Sequence, residues 1–309
     1  MTSKSSTEAG TTPGTKNSSR PPWTSFIYLA IVYLVWGSTY LAIRVGVREG
    51  SGFPPFTMGA TRLLTAASIL LVYSAIAGKK LLLKKGEISL LAATGLLQWF
   101  GGNGLVIWAE QRLDSGLAAL LLASTPIWAA VFQSSLAKRR PSYLLILSLT
   151  TGFAGILLLS MPVMRTGVSA DLLSILALLV ASVSWTAGSL LQRRTAHVSP
   201  ILNSGYQQLF GAVVFLFAMY ATNEPPANPT TEAWLAWAYL LTFGSLIAFT
   251  AFIQALRKLP TNVVMTYGYV NPVIAIILGH LLLHEAITTW TIVGTVLVLL
   301  GVAGVYRDQ

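Results

Sequence analysis

The fold class this sequence predicts is an all-α polytopic membrane protein, and three observations carry the prediction. Hydrophobic residues make up 54% of the 309 and charged residues only 10%, with a mean hydropathy of +0.67, against roughly a quarter charged in a soluble domain. The charges are gathered into short clusters separated by uncharged stretches of one recurring length. The chain also repeats itself. An apolar excess of this size cannot be hidden in a water-facing fold of this length, so most of the surface must meet lipid. Cysteine is absent, which excludes disulfides, thiolate catalysis and thiolate-held metals.

Ionised side chains are expensive at the centre of a bilayer, so the gaps between them map the spans. Residues 21–43, 88–109, 115–137, 141–164, 172–192, 233–256 and 286–306 contain no Asp, Glu, Lys or Arg. Each is close to the ~20 residues a helix needs to cross a ~30 Å hydrocarbon core. Residues 195–223 and 259–284 carry only His197, His280 and His284, and residues 56–77 are broken by Arg62 alone. The sum is ten transmembrane helices. Strands would need a closed barrel of short alternating segments, a pattern the sequence does not have. Residues 1–22, rich in Ser, Thr, Gly and Pro, read as a disordered cytoplasmic tail. The first apolar run, from Trp23, is full length and reads as a retained helix rather than a cleaved signal.

Orientation follows from the cations. Fifteen of the twenty Lys and Arg fall on the side of the N-terminus, Arg44, Arg48, Arg112 and Arg165 on the other, and Arg62 inside a span. That asymmetry puts both termini in the cytoplasm. The net charge of +10 is therefore a topology signal. A nucleic-acid surface would gather its cations on one face instead of scattering them over six short segments.

The repeat is visible at constant offsets. Ala109 through Arg112 and Leu113 to Pro126 answers Ala255 through Lys258 and Leu259 to Pro272, 146 residues on; Trp36 answers Trp185, and Gly152 and Gly155 answer Gly301 and Gly304, 149 residues on. The chain divides into residues 1–22, a first five-helix unit over 23–160 and a second over 171–307. Five is odd, so the two units must enter the membrane from opposite sides. Inverted halves of this kind are a transporter signature, because they can exchange roles between inward-open and outward-open states.

Candidate site residues follow from polar and aromatic groups in mid-span. Tyr33, Trp36, Tyr40 and Arg44 share one face of the first helix, with Ser38 beside them. Arg62 lies about 10 Å along its helix from Pro55, and an intramembrane arginine is a functional group by default, as an anion binder or as partner to a carboxylate such as Glu110. Gln98 and Asn103, set among Gly101, Gly102 and Gly104, offer donors and acceptors where helices approach closely. Pro126 and Pro272 are expected to kink their spans and serve as hinges, with Ser124, Thr125, Tyr267 and Asn271 beside them; Trp185 and Gln207 complete the set. The carboxylates Glu110, Asp114, Asp171 and Glu285 all fall at predicted helix ends, so the sequence shows no mid-membrane proton relay, and coupling to a proton stays open. No catalytic constellation, metal-ligand set, phosphate loop or cofactor motif is found in the spans, which argues against an enzyme.

These residues resemble a known family. Trp36-Gly37-Ser38-Thr39-Tyr40, Arg62, Gly102-Asn103-Gly104 followed by Ala109-Glu110, Ser124-Thr125-Pro126, and Tyr267-Gly268-Tyr269-Val270-Asn271-Pro272-Val273 with Glu285 beyond are similar to the EamA half-repeats of the drug/metabolite transporter superfamily, and look closest to the YedA-like bacterial exporters. The likeness runs from about residue 26 to 307. It implies a ten-helix bacterial inner-membrane carrier, many relatives being exporters of amino acids, other metabolites or toxic compounds. The expectation is thus a secondary transporter working by alternating access on a small metabolite, an amino acid or an amphiphile, with a gated pore as the alternative.

Overall fold

Without water in the hydrocarbon, each backbone must satisfy its own hydrogen bonds, and the chain answers with helices throughout. The computed structural model describes residues 23–113, 115–165, 172–283 and 287–308, and no strand occurs among them. The predicted tail 1–22 and Asp114, Asp171, His284 and Glu285 lie outside the described residues, as does the side chain of His280. The helices are α1 (Trp23–Gly46), α2 (Pro55–Ile76), α3 (Lys85–Ala109), α4 (Ser115–Leu122), α5 (Thr125–Ala137), α6 (Tyr143–Arg165), α7 (Leu172–Gln192), α8 (Pro200–Ala221), α9 (Thr231–Lys258), α10 (Thr261–Met265), α11 (Tyr267–Leu283) and α12 (Thr289–Arg307). Among the described residues, eight spans are long and apolar enough to cross a membrane: α1, α2, α3, α4 with α5, α7, α8, α9 and α12. The two further spans the sequence predicts coincide with α6, whose apolar stretch Tyr143–Leu159 is shorter, and with α11.

The helix ends are closed by side chains. Pro55 and Pro200 open α2 and α8, where a missing N–H costs nothing. The backbone N–H groups of Phe56 and Thr57 donate to the Glu224 carboxylate at 2.8 and 2.7 Å, a negative charge at the positive end of α2. Ser199 and Thr230 cap α8 and α9. Two helices are not regular. Leu96–Gly104 within α3 and Leu240–Ala248 within α9 widen to a π-helical turn, 144 residues apart. Carbonyls of these widened turns take donors from neighbouring helices, Ser184 Oγ to Leu97 O at 2.8 Å and Gln208 Nε2 to Ser245 O at 3.1 Å.

Contacts between the halves of the chain come in reciprocal pairs. α3 packs on α7 and α9 on α1; α5 packs on α7 and α11 on α1; α2 lies along α8 and α6 along α12. Each helix of one half thus meets the helix that a two-fold exchange of the repeats would assign it. The α6–α12 seam is a backbone-to-backbone approach, in which a Cβ on Gly155 would lie 2.7 Å from Gly294 O and one on Gly301 2.6 Å from Gly152 Cα. Small residues are what allow helices to come so close in lipid, where packing replaces the hydrophobic drive.

The obstacle at Gly155 is backbone, which cannot swing away. Gly155→Leu is therefore expected to cost about 1–3 kcal/mol and to lower the Tm of the detergent-purified protein. Gly86→Leu, where a Cβ meets open space, leaves the Tm in place.

Candidate functional site

A cavity opens where the reciprocal pairs converge, between packed helices, a place where small-molecule sites preferentially form. Its wall is assembled from eight helices. The helical repeat of α1 turns Trp36, Thr39, Tyr40 and Ile43 toward it; α2 supplies Arg62; and the π-widened turn of α3 supplies Trp99, Gly102 and Asn103, with Val106 one turn on. Leu122 and Thr125 come from the two sides of the α4–α5 break, Ala181 and Trp185 from α7, Leu240, Gly244 and Ser245 from the widened turn of α9, and Tyr267 and Asn271 from α11.

The aromatic part of the wall is a continuous edge-to-face stack. Trp36 meets Trp185 at 5.3 Å and 81° and Tyr267 at 5.0 Å and 79°, while Trp99 meets Trp185 at 6.5 Å and Phe249 at 4.6 Å. Pairs of this geometry add about 0.5–1.5 kcal/mol each beyond their buried area. Gly102 makes room for it: a Cβ there would stand 2.8 Å from Trp185 Cε3.

Arg62 is the one charged side chain in the wall. It is 2% exposed, donates through Nη2 to Asn103 Oδ1, and holds its guanidinium carbon 5.7 Å over the Trp99 ring. Among the described residues no carboxylate lies in ion-pair range of it, so the Glu110 partnership the sequence allowed is not made. Among the described residues, Arg62 Nε, Trp99 Nε1, Trp185 Nε1 and both polar atoms of the Asn271 amide find no hydrogen-bond partner. Buried polar groups are costly until hydrogen-bonded. A wall offering four donor groups, one cationic, and one acceptor over aromatic faces can hold a small solute that carries a carboxylate and an apolar body.

The structure brings together Trp36, Tyr40, Arg62, Asn103, Trp185, Tyr267 and Asn271 of the residues singled out in the sequence. Three others sit in helix seams outside the cavity wall. Ser38 joins α1 to α9 through the Tyr239 hydroxyl at 2.5 Å. Gln98, fully buried, donates to Ser189 Oγ at 3.1 Å, and Ser124 donates to Ser182 Oγ at 3.0 Å. Gln98 stands five residues before Asn103, off its face by ordinary helical spacing, and points into the α7 seam. Trp99 stands four residues before Asn103 and shares its face, a spacing that marks it as a wall residue beside Asn103 and Val106. Gln207 is bonded to Gln192 and Asn203 in a buried amide cluster. Arg44 donates to the carbonyls of Glu110 and Gln111 at 2.5 and 2.8 Å, closing the C-terminal end of α3.

The two prolines sit differently from each other. The fourth predicted span is broken outright at residues 123–124, and Pro126 is the second residue of the new helix α5. Pro272 lies inside α11, and the break in that span comes earlier, at Thr266, between α10 and α11.

The chain matches the EamA-like transporter family over residues 23–161 and again over 172–307. It is 32% identical to the inner membrane transporter YedA of Escherichia coli (strain K12) over 272 residues, covering 87% of this chain and 86% of that one. Against the transporter YoaV of Bacillus subtilis (strain 168) the identity is 27% over 277 residues, 88% of this chain and 92% of the other. A solved crystal structure shares the fold with a TM-score of 0.75 and 19% identity, over 91% of this chain and 96% of its own.

Among the described residues, Asn103 is the only hydrogen-bond acceptor for the buried Arg62 guanidinium. Asn103→Ala is expected to destabilise the protein by about 1.5–3 kcal/mol, read as a lower Tm. In the double variant with Arg62→Met most of that loss returns, giving a coupling energy that simple cavity creation would not produce.

Proposed function

The chain belongs to the EamA-like transporter family, and from that premise we propose a secondary transporter that moves a small carboxylate-bearing metabolite with an apolar or aromatic part, amino acids foremost, out of the cell by alternating access. Membrane transport itself is the common property of the family and of the named relatives. The solute class rests on Arg62: a buried cation with an amide acceptor, an aromatic neighbour and no carboxylate in range is a site for an anionic group. The unpaired amide of Asn271 and the indole N–H groups of Trp99 and Trp185 supply the remaining polar contacts, and the stacked rings take the apolar body.

In this reading ten helices form two inverted units, 23–160 and 171–307, with both termini in the cytoplasm of a bacterial inner membrane. The reciprocal helix pairing supports it, since a two-fold relation in the membrane plane is what lets the halves exchange conformations. The breaks at residues 123–124 and at Thr266, beside Pro126 and Pro272, are the hinges about which the fourth and ninth spans swing.

Purified protein in liposomes, offered L-phenylalanine, L-leucine and L-threonine, is expected to show saturable uptake of at least one. Arg62→Gln should lower kcat/KM about ten- to a hundredfold, the equivalent of one charge-assisted hydrogen bond. Conductance without saturation would make the protein a pore. Because the chain has no cysteine, Trp36→Cys and Tyr267→Cys are clean reporters, and labelling that is equal from both sides in every condition would sink alternating access.

A further inference from the structure

Glu110 sits where the sequence suggests an unremarkable helix end, directly after the last residue of α3. The structure buries it completely, and neither carboxylate oxygen has a hydrogen-bond partner. Burying an ionised carboxylate with no donor costs far more than burying the neutral acid. The nearest cation does not relieve that cost: the Arg44 guanidinium gives its hydrogen bonds to the backbone carbonyls of residues 110 and 111, whereas a carboxylate would be the stronger acceptor.

Resting on the carrier reading above, we propose that Glu110 is the proton-binding group of the transport cycle, a carboxyl that loads from the outer water and empties to the inner side, so that one proton enters as one solute leaves. In the loading step an O–H bond forms between a carboxylate oxygen of Glu110 and a proton from the outer compartment. In the unloading step the same bond breaks to inner water, and no other bond changes.

The placement supplies the coupling. Asn103, Val106 and Glu110 are spaced by three and four residues, and the first two line the cavity, so the carboxyl stands one turn beyond its wall on the same side of α3. From α1, Tyr40 and Arg44 lie within electrostatic reach of it, and Tyr40 is itself part of the cavity wall. A solute against Tyr40 and a charge on Glu110 therefore act on the same side chain. The other elements packed here contribute little charge. α2 brings Arg62, already bonded to Asn103; α7 and α4 carry no titratable side chain between Leu172 and Gln192 or between Ser115 and Leu122; and Arg112 on the following turn lies 4.6 Å over the Trp108 ring.

The test needs no knowledge of the solute. Infrared difference spectra of the full-length protein in liposomes, titrated through neutral pH, should show a protonated-carboxyl band that is absent in Glu110→Gln and kept, shifted, in Glu110→Asp. In pyranine-loaded vesicles, accumulation of L-phenylalanine, L-leucine or L-threonine driven by a pH gradient should fall about tenfold in Glu110→Gln. Counterflow of the same solute without a gradient should persist. A wild-type spectrum lacking the band, a band unchanged in Glu110→Gln, or gradient-driven accumulation intact in that variant overturns the proposal. Loss of counterflow as well would make Glu110 a solute contact and also overturn it. A band that responds as expected, with no flux of any solute tested, counts against the carrier reading and leaves proton binding at Glu110 standing.

Discussion

A polar group inside hydrocarbon has no water to fall back on, and the whole structure is arranged around that shortage. Helices are the first response, since they close their own backbone hydrogen bonds. Where a helix begins, ends or widens, a side chain from elsewhere in the chain takes over: Glu224 for the first N–H groups of α2, Arg44 for the last carbonyls of α3, Ser184 and Gln208 for the carbonyls of the two π-helical turns. These bonds join segments far apart in sequence, so satisfying the backbone and fixing the tertiary arrangement are one act. The cavity is an exception, a place where buried donors and acceptors gather without protein partners among the described residues.

The same shortage divides the molecule into stiff and movable parts. The α6–α12 seam, with glycine backbones in mutual contact, leaves no space for one helix to slide past the other without a clash. The aromatic stack of Trp36, Trp99, Trp185 and Tyr267 is held by ring geometry rather than hydrogen bonds, which allows rearrangement at smaller cost. The breaks at residues 123–124 and at Thr266 lie next to that stack. Rigid seams at the periphery and helix breaks at the centre are the distribution the carrier proposed above would need.

Much of this was legible in the sequence, because the constraints that wrote it are local. Charge-free stretches and their lengths reveal helices, since the cost of an ion in lipid acts residue by residue. Trp36, Arg62, Asn103, Trp185 and Asn271 were readable as cavity residues for the same reason, each being polar or aromatic where neither is free. Helical spacing also puts Trp99, four residues before Asn103, on the cavity face of α3 and leaves Gln98, five before it, to the α7 seam. What escaped depends on tertiary geometry that periodicity does not encode. The α4–α5 break places Pro126 at a helix start, where a kink within a helix was expected. Glu110 escaped for another reason: a helix end by sequence is a surface position only if no other helix covers it, and here α1 does.

The two halves have kept their frame and changed its polar centre. Pro55 and Pro200 each open a helix of 22 residues, so Arg62 and Gln207, each the eighth residue, hold the same place in α2 and α8. The π-helical turns and the pair Trp36 and Trp185 are retained in both halves. At the eighth position, however, the first half carries a cation turned into the cavity, while the second carries an amide tied to Gln192 and Asn203. In the carrier proposed above, a frame with two-fold reciprocity would give two alternating states of comparable energy, since each half could adopt the conformation of the other. A single cation would break that equality for an anionic solute alone, because an anion on Arg62 would interact with the two states unequally and shift their populations only while bound. On that proposal, symmetry in the scaffold and asymmetry in one side chain together make the solute, and not the empty protein, the agent that biases the cycle.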